Sequence, residues 1–202
     1  MIDCIGKKVV IFGGGEVSAR KSRYFSDEAE VTVYSRTFCD AFGDLQVRQV
    51  IRTLSAGDQD LTDLIAGAFL VITTTQDQIL NNEIIAHCRH AGVLCNNASG
   101  QAGDVTLPAK ISGERYTIAV STAGASPAVA RYIREDLQER LAYLDQMISL
   151  QESLRCRLKS EGVAEEKRRA ILTASLRDQE IWDTLPKGQD AALELIEERY
   201  SP

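Results

Sequence analysis

Along the first half of the chain, short β-type apolar runs alternate with helix-type spacing. Lys8-Val9-Val10-Ile11-Phe12 is a run rich in β-branched residues that breaks into Gly13-Gly14-Gly15 and resumes from Val17 to Phe25 with helical character. This order predicts strand, tight turn, helix. Val31-Thr32-Val33-Tyr34 is the next strand, at about the separation that a right-handed βαβ crossover needs. The alternation continues with a strand over 47–51, a short helix over 61–65, a strand over 69–73, a helix over 81–90 and a strand over 93–95. Repeated β then α predicts an α/β fold with a Rossmann-like, doubly wound parallel sheet.

The pattern then changes. Thr106 to Ile111 and Tyr116 to Ser121 flank the turn signal Ser112-Gly113-Glu114, and predict strands paired directly rather than across a helix. Ser126-Pro127 supplies a cap and a first-turn proline for a long helix, whose apolar stripe runs Val129, Ile133, Leu137, Leu141, Leu144. That stripe requires a partner surface. Beyond residue 147 the chain reads as charged helices broken at Glu161-Gly162 and Pro186-Lys187-Gly188.

Composition narrows the function. The chain has 202 residues, 44% of them hydrophobic and 26% charged, with a net charge of −6. Such an acidic balance argues against general nucleic-acid binding, which needs a basic surface. No apolar run approaches the roughly 20 residues that span a bilayer, and the start lacks signal-peptide layout, so a cytoplasmic location and no membrane partner are expected. Five scattered cysteines are expected to be reduced thiols, several of them buried.

A dinucleotide-binding turn needs one glycine for the bend, a second for close approach of the pyrophosphate, and a small third residue for helix packing. Gly13, Gly15 and Ser18 stand at those places. The following helix would offer free amides and a partial positive charge to phosphates. The acid that usually holds the ribose hydroxyls is missing, since the second strand ends in Tyr34-Ser35-Arg36-Thr37. Arg36 either favours a 2′-phosphate, and so NADP, or lies along the adenine or in solvent.

Four stretches carry a resemblance: Val10 to Lys21, Thr73-Thr74-Thr75-Gln76-Asp77, Cys95-Asn96-Asn97, and Val120-Ser121-Thr122-Ala123-Gly124-Ala125-Ser126-Pro127-Ala128-Val129-Ala130-Arg131. Together they resemble the precorrin-2 dehydrogenases, the family that includes the dehydrogenase–ferrochelatase part of siroheme synthase. The match is specific through about residue 141, and the 121–131 segment discriminates, because ordinary dinucleotide folds have no such element.

The resemblance implies NAD-dependent oxidation of precorrin-2 to sirohydrochlorin, in some members followed by insertion of Fe²⁺ as a second substrate. It also implies a homodimer, with 1–112 as dinucleotide-binding domain, 113–146 as a strand-plus-helix dimerisation region and 147–202 as a helical C-terminal domain. The active site would lie between the dinucleotide and dimerisation regions. Carried over by position, Glu16, Val17, Arg36 and Thr37 would touch the dinucleotide, with Thr75 near its nicotinamide half. Ser121, Thr122, Ser126 and Arg131 would bind the tetrapyrrole, whose many carboxylates also call for cations such as Lys110 and Arg134. Arg131 and Arg134 have an alternative use in ion pairs with Glu135 and Asp136.

One departure concerns catalysis. Many family members carry an aspartate where this chain has Ser99, and a hydroxyl cannot replace a carboxylate as base or metal ligand. Asp104 is the nearest carboxylate able to serve, or else makes local hydrogen bonds at a strand entry. His87, Cys88, His90 and Cys95 form no zinc frame, and no resident metal is expected. The competing reading is a non-catalytic NAD(H) sensor with a helical partner-binding region.

Overall fold

The computed structural model describes residues 2–98 and 103–200. The chain forms two compact units, Met1–Leu107 and Pro108–Pro202.

In the first unit five parallel strands, β1 (Lys8–Phe12), β2 (Glu30–Ser35), β3 (Arg48–Ile51), β4 (Leu70–Thr73) and β5 (Leu94–Asn97), lie in the order β3-β2-β1-β4-β5. Helices α1 (Glu16–Arg23), α2 (Leu61–Ile65) and α3 (Gln78–Ala91) connect them, with a 3-10 turn at Asp40–Phe42. The order follows from burial on both faces. Val10, Phe12 and Val71 point to one side, with Leu61, Ile65, Leu80, Ile84 and Cys88. Val9, Ile11, Val33 and Ile72 point to the other, with Ala19, Phe25 and Phe42. Each fully buried aliphatic or aromatic side chain contributes about 1.5–3 kcal/mol, and a strand apolar at every position is stable only when covered on both sides. The doubly wound α/β sheet expected from the sequence is therefore the observed one.

The direction in which successive strands are added to the sheet reverses between β1 and β4, since β2 and β3 lie on one side of β1 and β4 and β5 on the other. In such sheets a crevice opens beyond the carboxyl ends of the strands at this switch point. The glycine turn leaves β1 there, and Thr74 to Asp77 leave β4 beside it.

The second unit begins with an antiparallel pair, β6 (Ala109–Ser112) and β7 (Thr117–Val120). The strand expected from Thr106 starts later. Val105 N donates to the Cys95 carbonyl at 3.0 Å, and Val105 and Leu107 pack against the first unit's core, so this stretch serves the parallel sheet's packing. Helices α4 (Pro127–Arg140), α5 (Leu144–Ser160), α6 (Glu165–Arg177), α7 (Gln179–Thr184) and α8 (Gln189–Tyr200) follow. Met147, Leu150, Leu154, Leu158, Ile171, Ile181 and Ile196 form their core.

The helix expected to run unbroken through Leu144 is two helices. Leu141 and Tyr143 leave helical geometry without any Gly or Pro to force it. The cause is tertiary: just past the break, the Asp145 carboxylate accepts from Glu114 N and Arg115 N at 3.0 Å, and Arg115 pairs with Glu152. Holding α5 to the β6–β7 turn fixes its direction independently of α4. The breaks expected at Gly162 and Gly188 are present, both with positive φ.

Candidate functional site

A cavity of about 560 Å³ sits at the switch point, lined by Gly13, Gly14 and Gly15, by Tyr34 to Cys39 at and beyond the end of β2, by Arg52 to Leu54 after β3, and by Thr74 to Asp77 after β4. Its three glycines have different surroundings. Gly13 has φ of +118°, donates to the Tyr34 carbonyl at 2.9 Å, and would drive a Cβ into Thr74. Gly14 accepts from Cys39 N at 2.8 Å, and a Cβ there would overlap the Thr37 carbonyl and lie 2.7 Å from Ser35 Oγ. Gly15 faces open space.

Ser18 is fully buried and its hydroxyl donates to the Gly13 carbonyl at 2.6 Å, the packing expected of the small third residue. Gly15 is the N-cap of α1, and no side chain caps the helix. The other two long helices near candidate segments are capped: Asp77 accepts from Ile79 N and Leu80 N at the start of α3, and Ser126 from Val129 N at the start of α4. The amides that open α1 thus remain available to an anion, with the partial positive charge of the helix behind them. An uncapped helix start, a glycine open to the cavity and a floor of backbone fit a dinucleotide pyrophosphate.

Thr74 closes the floor. Its N and Oγ1 both donate to the Phe12 carbonyl, at 2.8 and 2.9 Å, tying the end of β4 to the end of β1. Thr75 lies 2.7 Å from Asn81 Oδ1 through its hydroxyl, while Asn81 Nδ2 donates to the Thr75 carbonyl. Arg36, Thr37 and Thr75, three of the expected cofactor contacts, line the cavity with Gly13 and Gly15. Glu16 and Val17 are exposed in the first turn of α1 and do not line it.

Asp104 is exposed, and its carboxylate accepts from Cys95 N at 3.2 Å and Cys95 Sγ at 3.1 Å. The Cys95 thiol bond is the main cause that holds the Asp104 pKa below the ordinary carboxylate value. Burial, followed by that same bond, pushes the Cys95 thiol up. The local hydrogen bonding considered for Asp104 is therefore present. Ser99 lies outside the described residues.

The discriminating segment in the second unit opens as a tight loop and continues into α4 from Pro127. Thr122 Oγ1 donates to the Ser126 carbonyl at 3.0 Å and accepts from Ser126 N at 3.2 Å, while Ser121 Oγ accepts from Ala123 N. Ala123 has φ of +51°, which this pair of bonds holds in place. The same hydroxyls expected to meet substrate shape the loop. Arg131 is exposed and pairs with Glu135 at 2.8 Å, and Arg134 joins the same carboxylate.

Sequence reasoning missed two groups. Gly14 carries the closest backbone approach in the turn, and Lys21 reaches from α1 to β5. The Lys21 ammonium donates to Asn96 Oδ1 at 2.6 Å, and Asn96 Nδ2 donates to the Val105 carbonyl at 2.6 Å. Burial, with the Arg20 charge adding to it, lowers the Lys21 pKa to about 8. The signal for Gly14 was a third glycine in an already satisfied pattern, whereas nothing local points to Lys21. Among the described residues no three His, Cys, Asp or Glu gather as a metal would need.

Known proteins resemble this chain over the same regions. Residues 1–109 match a family of NAD(P)-binding domains, and residues 117–140 match the sirohaem biosynthesis protein central family. A precorrin-2 dehydrogenase of Methanosarcina barkeri is 38% identical, over 96% of this chain and 89% of that protein. One from Priestia megaterium is 29% identical over 68% and 67% of the two chains. A siroheme synthase of Edwardsiella ictaluri is 33% identical over 76% of this chain but only 34% of its own length. Among solved structures, SirC, a precorrin-2 dehydrogenase, superimposes with a TM-score of 0.69 at 25% identity, covering 98% of both chains.

Proposed function

Since this chain belongs to the precorrin-2 dehydrogenase family, we propose that it oxidises precorrin-2 to sirohydrochlorin with NAD bound at the cavity between β1 and β4. The observation that carries the reading is the cavity itself. An uncapped α1, Gly13 and Gly15, and the Thr74 floor converge at the switch point of the sheet. When bound, the dinucleotide would supply the hydride acceptor for this oxidation, and the macrocycle must also give up a proton.

This chain's residues position rather than activate. The α1 amides hold the pyrophosphate, Arg36 and Thr37 border the adenosine half, and Thr75 borders the nicotinamide half, with Glu16 and Val17 flanking the turn. Asp104 receives the substrate proton, and a depressed pKa is adequate because orienting the ring against the cofactor is the larger contribution. Ser99, at the family aspartate's position, brings a hydroxyl to the site and leaves the base role to Asp104. Ser121, Thr122, Ser126 and Arg131 hold the tetrapyrrole carboxylates.

We further propose a homodimer in the cytoplasm. Val129 and Tyr132 on α4 are 48% and 69% exposed, an apolar face that a second copy would cover. Among the described residues no helix is long and apolar enough to cross a membrane. Fe²⁺ insertion would follow as a second step if Asp104 accepts the pyrrole protons.

The test is incubation of the purified protein with precorrin-2 and NAD or NADP, followed by addition of Fe²⁺. Sirohydrochlorin should form with stoichiometric reduction of the dinucleotide. Absence of turnover with either cofactor would refute the dehydrogenase and leave the NAD(H) sensor.

A further inference from the structure

We propose that Arg36 reads the 2′-phosphate of NADP, so that NADP binds this chain at least as tightly as NAD; this rests on the dinucleotide reading of the cavity. In dinucleotide folds the group at the end of the second strand decides the matter. A carboxylate there accepts from both ribose hydroxyls of NAD, whereas an arginine neutralises the added phosphate.

β2 ends at Ser35, and the exposed Arg36 and Thr37 follow directly into the cavity lining. The one carboxylate among the described lining residues is Asp77, which follows β4 on the far side of β1. Its Oδ1 is committed to the Ile79 and Leu80 amides at the start of α3. The ribose diol of NAD therefore meets no acid acceptor at the β2 end.

Cations are present instead. Arg52 also lines the cavity, and its backbone N donates to the Ser35 carbonyl at 2.8 Å, but its guanidinium pairs with Asp58 and Asp60. Among the described residues Arg36 has no ion-pair partner, so its charge is the one left to meet a phosphate. Ser35, Thr37 and Thr53, each bearing a hydroxyl, line the same end. A guanidinium suits a phosphate in both charge and fork geometry.

Titration calorimetry of the full chain, without tetrapyrrole, measures Kd for NAD and for NADP. The expected result is a Kd for NADP no larger than that for NAD. Arg36→Ala should raise the ratio of Kd for NADP to Kd for NAD by roughly tenfold or more, as loss of a charge-assisted phosphate contact does. Arg36→Lys should keep most of the wild-type ratio, and Arg36→Asp should raise it furthest. Circular dichroism on each variant checks the fold.

Tighter binding of NAD by wild-type protein, or a ratio unmoved in Arg36→Ala, overturns the assignment. Because binding is read without substrate, a failed precorrin-2 assay leaves this ratio standing. Successful turnover with an unmoved ratio overturns Arg36 alone, and no binding of either dinucleotide overturns both readings.

Discussion

Adjacent glycines of the turn act through different neighbours, so the same substitution has different consequences at each. A Cβ at Gly14 meets a backbone carbonyl that cannot withdraw, whereas one at Gly15 meets nothing in the protein. Gly14→Ala is expected to lower the melting temperature by several degrees and to abolish dinucleotide binding. Gly15→Ala should melt near wild type yet bind more weakly, because its methyl enters the space the pyrophosphate needs. Thermal melts and dinucleotide titrations on both variants separate folding from binding, and equal melting temperatures would contradict the Gly14 contact.

Asp104 and Lys21 are residue-scale cases that chemistry distinguishes. If Asp104 is the proton acceptor, Asp104→Asn should remove precorrin-2 oxidation while leaving dinucleotide affinity intact. Wild-type rates would reduce it to a hydrogen-bond acceptor for Cys95. For Lys21, folding lowers the pKa from 10.5 to about 8. Below about 8 the amine is charged in both states, and the folded chain bears the full cost of its burial. From about 8 to 10.5 the folded state has released the proton that the unfolded state still holds, so this residue makes stability rise with pH. In urea titrations across that range, the stability of Lys21→Met relative to wild type should fall as pH rises, and a constant difference would mean a solvated amine. Comparison with wild type is needed because Cys88, pushed up to about 12 by burial, acts in the opposite direction above 9.

At the scale of elements, helix ends sort the candidate sites. α3 begins with Asp77 taking up two amides, while α1 leaves its own open. Asp77→Ala should cost about 1 kcal/mol in chemical denaturation. It should also weaken dinucleotide binding, because the same residue borders the cavity. No change in stability would show α3 to be held by packing alone. Much of this was legible beforehand: apolar runs, Gly and Pro breaks and the Ser126-Pro127 cap act over a few residues, and the helices and strands stand close to where those signals put them. The separation of α4 from α5 was not legible. It depends on Asp145 gripping a turn about 30 residues earlier, with no local breaker to announce it.

At the scale of the whole molecule, each unit carries its own core. Leu150 is fully buried among the helices of the second unit. Leu150→Ala is expected to cost about 2–5 kcal/mol. The loss should appear in the unfolding of the helical unit while dinucleotide affinity, which belongs to residues of the first unit, is retained. Loss of both together would show that the units fold as one.

The amino-acid sequence by itself determined the alternation of strands and helices, the sharp turn after β1 and the missing acid after β2. Each is a matter of spacing or residue type within a short window, where backbone sterics and the apolar period decide the outcome. Only the tertiary structure decided that Gly14 lies against Thr37, that Cys95 holds Asp104, and that Lys21 donates to Asn96 across 75 residues of sequence. The first and last arise because the sheet order sets segments distant in sequence side by side, the second because Asp104 and Val105 return beside β5, and no local periodicity encodes any of them.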